Sequence, residues 1–310
     1  MSRNWLADFK YEDGAWLVKK TGHRIPASPD LINDIFTWLT FYTLAQSWRS
    51  WRRITGHKRP TIAFYPEKPR PWYFVWPVMH ASGAKLISDP SMADIVFQFD
   101  DSTTVNHEPP KTKPGAKLVN FGCQDISKSN VAAAFERAAG YNLSVDPKTF
   151  TGRMVEKSEK NACHDGRVLE GPVEPHPDKT YQVLVDNEVH GGMIEDLRCC
   201  IVGGEPAIVF RKRRPIGRRF LNENAEVILD TPKNCYTEDE IRVISRFAEE
   251  IGLEWGGVDV LRDNASGKIY IVDANKTDMG PPVALKLGDK LKSTRRMAKA
   301  FVEAFAPKRK

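Results

Sequence analysis

Nothing in these 310 residues is apolar for long enough to cross a bilayer. Neither G-x-x-x-x-G-K-[ST] nor G-x-G-x-x-G occurs, which removes support for a P-loop or a dinucleotide-binding turn. No C-x-x-C pair occurs either. The cysteines are Cys123, Cys163, Cys199, Cys200 and Cys235. An odd count without paired spacing argues against a disulfide framework or a zinc site, and for reduced thiols in a cytoplasmic protein. Met1 to Trp5 leads into mixed polar sequence, so no secretory signal is expected. No internal repeat is visible, and no local Ser-His-Asp or Cys-His signature, although such arrays need not be local in sequence.

What is present has the composition of a folded protein. Hydrophobic residues make up 41% and charged residues 28%, the balance of a chain that buries a core. A net charge of +6 suits nucleic acid, an anionic membrane or phosphate-rich ligands, and does not choose among them.

The most informative stretch runs from Val258 to Thr277. Two apolar runs rich in β-branched residues flank Asn264-Ala265-Ser266-Gly267, which predicts a β-hairpin. Strand alternation puts Ile269, Ile271, Asp273 and Asn275 on one face and Tyr270, Val272 and Ala274 on the other. Asp259 lies on the partner strand at a similar distance from the turn, in a register the sequence does not fix. Carboxylates crowded into an apolar hairpin repel each other and lose solvation. A divalent cation would relieve both, and oxygen-only ligands suit Mg²⁺, with Mn²⁺ as the alternative.

Upstream, Gly152 to Lys157 is a strand-like run ending in a lysine, followed by the polar loop Ser158 to Gly166 with His164 and Asp165. Tyr181 to Asp186 is a second β-run, and Asp196-Leu197-Arg198 opens a third. This order resembles that of ATP-grasp ligases. The sequence G-G-V-D-V-L-R-D…G-K-I-Y-I-V-D-A-N-K-T-D-M-G-P-P is similar to their metal-binding end, with Asp273 where Glu is usual. The likeness is greatest to ribosomal-protein glutamate ligases and glutathione synthetase-like carboxylate–amine ligases. It runs from about Asp125 to Pro282.

The resemblance implies an α/β protein of ATP-grasp fold, with a small preceding α/β domain and an N-terminal helical extension. The expected divisions are 1–59, 60–124 and 125–306, the last in subdomains of roughly 125–185 and 186–306. It implies Mg²⁺-dependent joining of a small-molecule or peptide carboxylate to an amine through an acylphosphate. Lys128, Lys157, Gln182, Val183, Leu184 and Asp196 would hold ATP. Asp259, Asp273 and Asn275 would hold the metal. Lys157, Arg198, Arg211, Arg219 and Asn222 would serve the chemistry. A kinase-like phosphoryl transfer at the same site stays open, and two departures keep a non-catalytic nucleotide-binding protein open as well. The phosphate loop has Gly166 as its one glycine, and the arginine of the family's Phe-Arg-x-Asn loop is displaced in Arg218-Arg219-Phe220-Leu221-Asn222.

Elsewhere, Ser28-Pro29-Asp30 predicts the start of a helix running to about Ile54. Its aromatic residues spread around the axis, so burial on several sides is favoured over an interfacial membrane helix. Alternating strands and short helices from Pro60 indicate a small α/β unit. A helix is expected from Asp125 to Gly140, and a capping box starts another at Thr237. The charge run Arg211 to Arg219 lacks interleaved aromatics, so an anion site is favoured over a nucleic-acid patch.

Overall fold

The computed structural model describes residues 5–19, 24–27, 29–54, 60–161, 163, 165–221 and 224–307. The chain opens with an antiparallel meander of β1 (Phe9–Glu12), β2 (Ala15–Val18) and β3 (Arg24–Pro26). Helix α1 (Pro29–Ile54) follows; its expected cap, Ser28, lies outside the described residues. One side of α1 is docked: Phe41 and Ala45 are buried, Trp48 packs on the core, and Tyr42 stacks on Trp76 with centroids 4.8 Å apart. Ile32, Ile35, Phe36 and Leu39 stand exposed on the opposite side. The helix is therefore buried along one side, not several. Among the described residues no helix is long and apolar enough to cross a membrane.

Next comes a parallel sheet. Its members are β4 (Thr61–Pro66), β5 (Lys85–Leu86), β6 (Ile95–Phe99) and β7 (Lys117–Val119), with α2 (Val75–Ser82) between β4 and β5. The order is β5-β4-β6-β7. All five residues of β6 are buried, as a near-continuous apolar run in a parallel sheet should be.

Helix α3 (Lys128–Ala139) leads to an antiparallel sheet of β8 (Gly152–Ser158), β9 (Arg167–Gly171) and β10 (Lys179–Val183), ordered β10-β8-β9. The largest sheet comprises β11 (Glu188–Val189), β12 (Met193–Val202), β13 (Glu205–Pro215), β14 (Glu226–Asp230), β15 (Trp255–Arg262) and β16 (Ile269–Asn275). Helices α4 (Pro232–Cys235) and α5 (Glu238–Glu250) precede β15, and α6 (Leu287–Phe305) closes the described chain. Thr237 and Glu240 form the expected capping box.

Strand alternation divides the core between the two faces of the large sheet. Leu197, Cys199, Ile201 and Val209 join the residues of α3 and α5. Cys200, Val202, Ile208 and Phe210 join those of α2, α6 and the parallel sheet. The adjacent thiols of Cys199 and Cys200 thus enter different cores, and neither is free to pair with the other.

Asn120 ties the parallel sheet to the large one. It holds φ at +64°, a left-handed conformation that Asn tolerates better than most residues. Its Oδ1 accepts from the Glu254 and Trp255 amides at 3.0 and 2.8 Å, and its Nδ2 donates to the Trp255 carbonyl at 2.7 Å. Asn120→Ala leaves those buried groups unsatisfied at a junction already lacking space, since a Cβ at Gly252 would meet the Gly122 carbonyl carbon at 2.4 Å. The substitution is expected to cost about 3 kcal/mol, read as a lower urea midpoint at unchanged slope.

Candidate active site

The hairpin of β15 and β16 sets Asp259 directly opposite Asp273. Between Asp259 and Val260 the register slips, because Val260 pairs with Ile271 and leaves Val272 as an extra residue. One inserted residue shifts the two-residue period, so simple alternation fails here. Ile269, Ile271 and Ala274 are the residues that enter the α3–α5 core. Asp273 and Asn275 therefore leave the face of Ile269 and Ile271, against the expectation from alternation. The bulge spares a carboxylate from that apolar core. The carbonyl of Val272 accepts from Lys157 Nζ at 2.8 Å. Asn275 turns its Oδ1 toward the Thr277 amide at 2.9 Å and hydroxyl at 3.2 Å, closing the turn after the strand.

Cations converge on the two acids. Across the ladder Arg198 faces Asp259, and Asp196 faces Lys212. Arg198 donates to Asp259 Oδ2 and Asp278 Oδ1, each at 2.9 Å. Lys212 Nζ stands 3.7 Å from Asp259 Oδ1. Lys128, the first residue of α3, is buried and pairs with Asp273, while donating to Asn161 at 2.9 Å. Arg214 pairs with Asp196, whose other oxygen accepts from Asn187 at 3.0 Å. Gly257 makes room for this packing: a Cβ there would lie 2.5 Å from Asp278 Oδ2 and 2.6 Å from Arg198 Nε.

The electrostatics follow from the packing. Burial pushes the Asp259 carboxyl up, but Arg198, Lys212 and Arg214 together outweigh it and hold it well below the usual range. Burial pulls the Arg198 guanidinium down, and Asp259 and Asp278 more than restore it. Lys157 is pushed down to about 8, first by burial and then by Lys128.

Several of the expected residues come together here: Lys128, Lys157, Arg198, Asp259 and Asp273. Gln182 lies on β10 opposite Val155, so it shares a sheet face with Lys157 two residues along β8. Gln182 is buried, and its Nε2 has no hydrogen-bond partner. Val183 and Leu184 are half-buried at the end of that strand. Arg219 donates to the Val185 carbonyl at 3.1 Å and to Asn187 Oδ1 at 2.8 Å, and so reaches Asp196 through Asn187.

Arg211 does not join them. The charge run lies largely within β13, where alternation sends Lys212 and Arg214 toward the acids and Arg211 and Arg213 to the opposite face. There Glu195 takes both arginines, at 3.0 and 2.7 Å, so the run is not one basic surface. Asn222 and His164 lie outside the described residues. From the sequence, Lys212 and Arg214 were read only as part of the charge run, and Asn187 and Asp278 were given no role. The first two carried a signal in their alternation with Arg211 and Arg213. Asp278 stood inside the quoted motif without a role.

Asp278→Ala strips the buried Arg198 of one of its two carboxylates. Breaking such a pair from one side is expected to destabilise by about 3 kcal/mol, and Asp278→Asn by less. Equal unfolding midpoints for parent and Asp278→Ala would contradict this account of Arg198.

No family model matches this chain, and no curated protein does. Solved structures similar to it include the ATP-grasp ligase PsnB complexed with a minimal precursor. That match has 12% identity and a TM-score of 0.49, covering 80% of this chain and 99% of that one. A RimK domain ATP-grasp protein from Sphaerobacter thermophilus is similar at 10% identity and a TM-score of 0.44, covering 80% of this chain and 100% of that one. The D-alanine–D-alanine ligase from Bacillus anthracis complexed with ATP is similar at 10% identity and 0.43, covering 79% and 97%. At such identities the likeness does not reach the residues of a site.

Proposed function

We propose that this chain is an ATP-grasp ligase that joins a small-molecule or peptide carboxylate to an amine at the expense of ATP. The observation that carries the reading is the opposed pair Asp259 and Asp273, ringed by Lys128, Lys157, Arg198 and Lys212. Like charges directly opposite on neighbouring strands destabilise a sheet. Here they are kept, and Asp259 Oδ1 is buried with no hydrogen-bond partner. Among the described residues no three of His, Cys, Asp and Glu cluster. Two carboxylates and few other protein ligands fit Mg²⁺, which completes its shell with phosphate oxygens and water. When bound by Asp259 and Asp273, the ion would offset charge on the β- and γ-phosphates.

The rest of the chemistry belongs to positioning and charge. Lys157 and Lys128 supply point cations for the phosphates. Gln182 and the backbone of Val183 and Leu184 border the same sheet face and would meet the base. A substrate carboxylate oxygen attacks the γ-phosphorus and ADP leaves. The amine nitrogen then attacks the acyl carbon, phosphate leaves, and the nitrogen gives up a proton. Arg198 is fixed by two carboxylates and holds Asp259 ionised throughout. The two sheets on either side, within 125–185 and 186–306, are the halves that would close on the nucleotide.

Product analysis tests the reaction class. A ligase releases free phosphate in step with an amide, whereas a kinase leaves phosphate on its product. Asp273→Asn is expected to abolish Mg²⁺-dependent ATP turnover while keeping the circular dichroism of the parent; undiminished turnover would remove the hairpin from the site.

Lys157 gives a second test with a defined sign. Its ammonium loses a proton near pH 8 in the free protein, below the ordinary lysine value of 10.5. A bound phosphate favours the charged form and raises that value. Between pH 8 and 10.5, ATP binding should therefore take up protons. Calorimetric titration at pH 9 in buffers of different ionisation enthalpy measures the uptake. Lys157→Met should abolish it and weaken ATP binding by more than about tenfold, the equivalent of one charge-assisted contact.

A further inference from the structure

Helix α1 presents large apolar side chains on the side that does not dock. Ile32 and Phe36 are each 70% exposed, and Ile35 and Leu39 each 46%. They recur at helical spacing, so they form one ridge two turns long. Leu44, also exposed, carries the open side round the helix toward Trp48, four residues on. The docked side is already filled by Phe41, Ala45 and the stack of Tyr42 on Trp76. Single apolar side chains are normal on a surface, but a contiguous set marks contact with something beyond the fold.

The hydroxyls beside this ridge do not depend on water. Thr40 Oγ1 donates to the Phe36 carbonyl at 2.9 Å, Thr43 Oγ1 to that of Leu39 at 2.8 Å, and Ser47 Oγ to that of Leu44 at 2.7 Å. A hydroxyl already bonded to its own helix leaves water at little cost. Cations border the open side. The Arg295 guanidinium of α6 lies over the Trp48 ring, 4.6 Å from its centroid. Lys292 and Lys299, three residues before and four after Arg295, share that face of α6, and all three are exposed. The acids of the face, Asp289 and Glu303, stand at its two ends. Glu303 meets Lys299 at 3.8 Å with both side chains largely in solvent, a pairing that neutralises little. The sequence of α1 ends in Arg49, Arg52 and Arg53, and from Ile35 to Ile54 it contains neither Asp nor Glu.

We propose that α1 seats this protein on an anionic phospholipid surface. Ile32, Ile35, Phe36 and Leu39 enter the boundary between headgroups and acyl chains, while Lys292, Arg295 and Lys299 draw the lipid phosphates to the border of the ridge. A short apolar ridge holds a bilayer weakly, and so does a sparse set of cations. Together they make a reversible anchor, the two-signal arrangement that peripheral proteins use. Charge separates this occupant from a second copy of the chain. A second copy would bring the same cations and, from Ile35 onward in α1, no carboxylate to meet them, whereas phosphatidylglycerol or a similar lipid supplies the missing negative charge. The surface shares no residue with the candidate active site.

The test is cosedimentation of the full chain with phosphatidylcholine vesicles, made with and without phosphatidylglycerol, at low and at high salt. The protein should pellet with the phosphatidylglycerol vesicles, stay in solution with phosphatidylcholine alone, and be released as salt rises. Ile32→Ser combined with Phe36→Ser should weaken partitioning by more than about tenfold. The same pair should leave the melting temperature of the parent unchanged, because both side chains are exposed. Lys292→Gln combined with Lys299→Gln should weaken binding by itself and flatten its salt dependence, and gives an independent reading should the first pair fail to fold. Failure to bind either vesicle overturns the proposal. Equal binding to both compositions does so too, as does unchanged partitioning in a folded Ile32 and Phe36 variant. Sedimentation velocity without vesicles examines the second copy: a dimer that those two substitutions dissociate, in a protein indifferent to vesicles, would assign the ridge to self-association instead.

Discussion

Two carboxylates held face to face on neighbouring strands set the terms for the rest of this molecule. Asp259 and Asp273 cannot both stay ionised in a packed sheet without counter-charge. Arg198 supplies it to Asp259 from β12, Lys212 from β13, and Lys128 supplies it to Asp273 from the start of α3. Each partner imposes a further condition. Buried Arg198 needs Asp278 as its second carboxylate, and that pair needs Gly257 to lack a side chain. The Lys157 contact with the Val272 carbonyl fastens β8 to the same hairpin. The acids therefore determine how a helix and a second sheet sit against the largest one.

The bulge at Val272 makes this compatible with a hydrophobic core. Without the extra residue, Asp273 would continue the phase of Ile269 and Ile271 into the apolar α3–α5 interior. With it, Ala274 takes the core position. A second sorting occurs on β13. Alternate cations go to opposite faces, and Glu195 absorbs those that face away from the acids. A run that looks like a single basic stretch in one dimension becomes two separately compensated sets in three.

These sortings mark where the sequence stopped being readable. The hairpin was legible because a polar turn separates two β-branched runs. Its bulge was not, since Val272 and Ala274 are both small and apolar, and a slip of one residue leaves no trace in hydropathy. The strand character of β13 was hidden because its outer half is lined by charges that find partners only in the folded sheet. Helix α6 was not anticipated, although Met297, Ala298, Phe301 and Phe305 recur at helical spacing on its buried face. The one-sided docking of α1 depends on α2 and α6, which its own aromatic pattern could not disclose. Of the candidate site, the acids, Lys128, Lys157 and Arg198 could be named from order along the chain. Asp278 could not, because its role is to hold an arginine that itself required a partner strand to be placed.

The two acids are not equivalent. Arg198 is buried, bound to two carboxylates and backed by the packing around Gly257, so removing it from Asp259 would strand a charge at two points. Lys128 holds Asp273 through a single ammonium on a flexible four-carbon stem at a helix start, and it has Asn161 as a second acceptor. A divalent cation arriving between the acids would find Asp259 Oδ1 already without a hydrogen-bond partner, and would compete with Lys128 for Asp273. Lys128 is the group able to yield without leaving a carboxylate exposed, and the phosphates that accompany the cation are what its ammonium would meet on yielding. The asymmetry gives the pair one fixed wall and one exchangeable one, as the proposed nucleotide site would need in order to keep its charges compensated when empty and when filled.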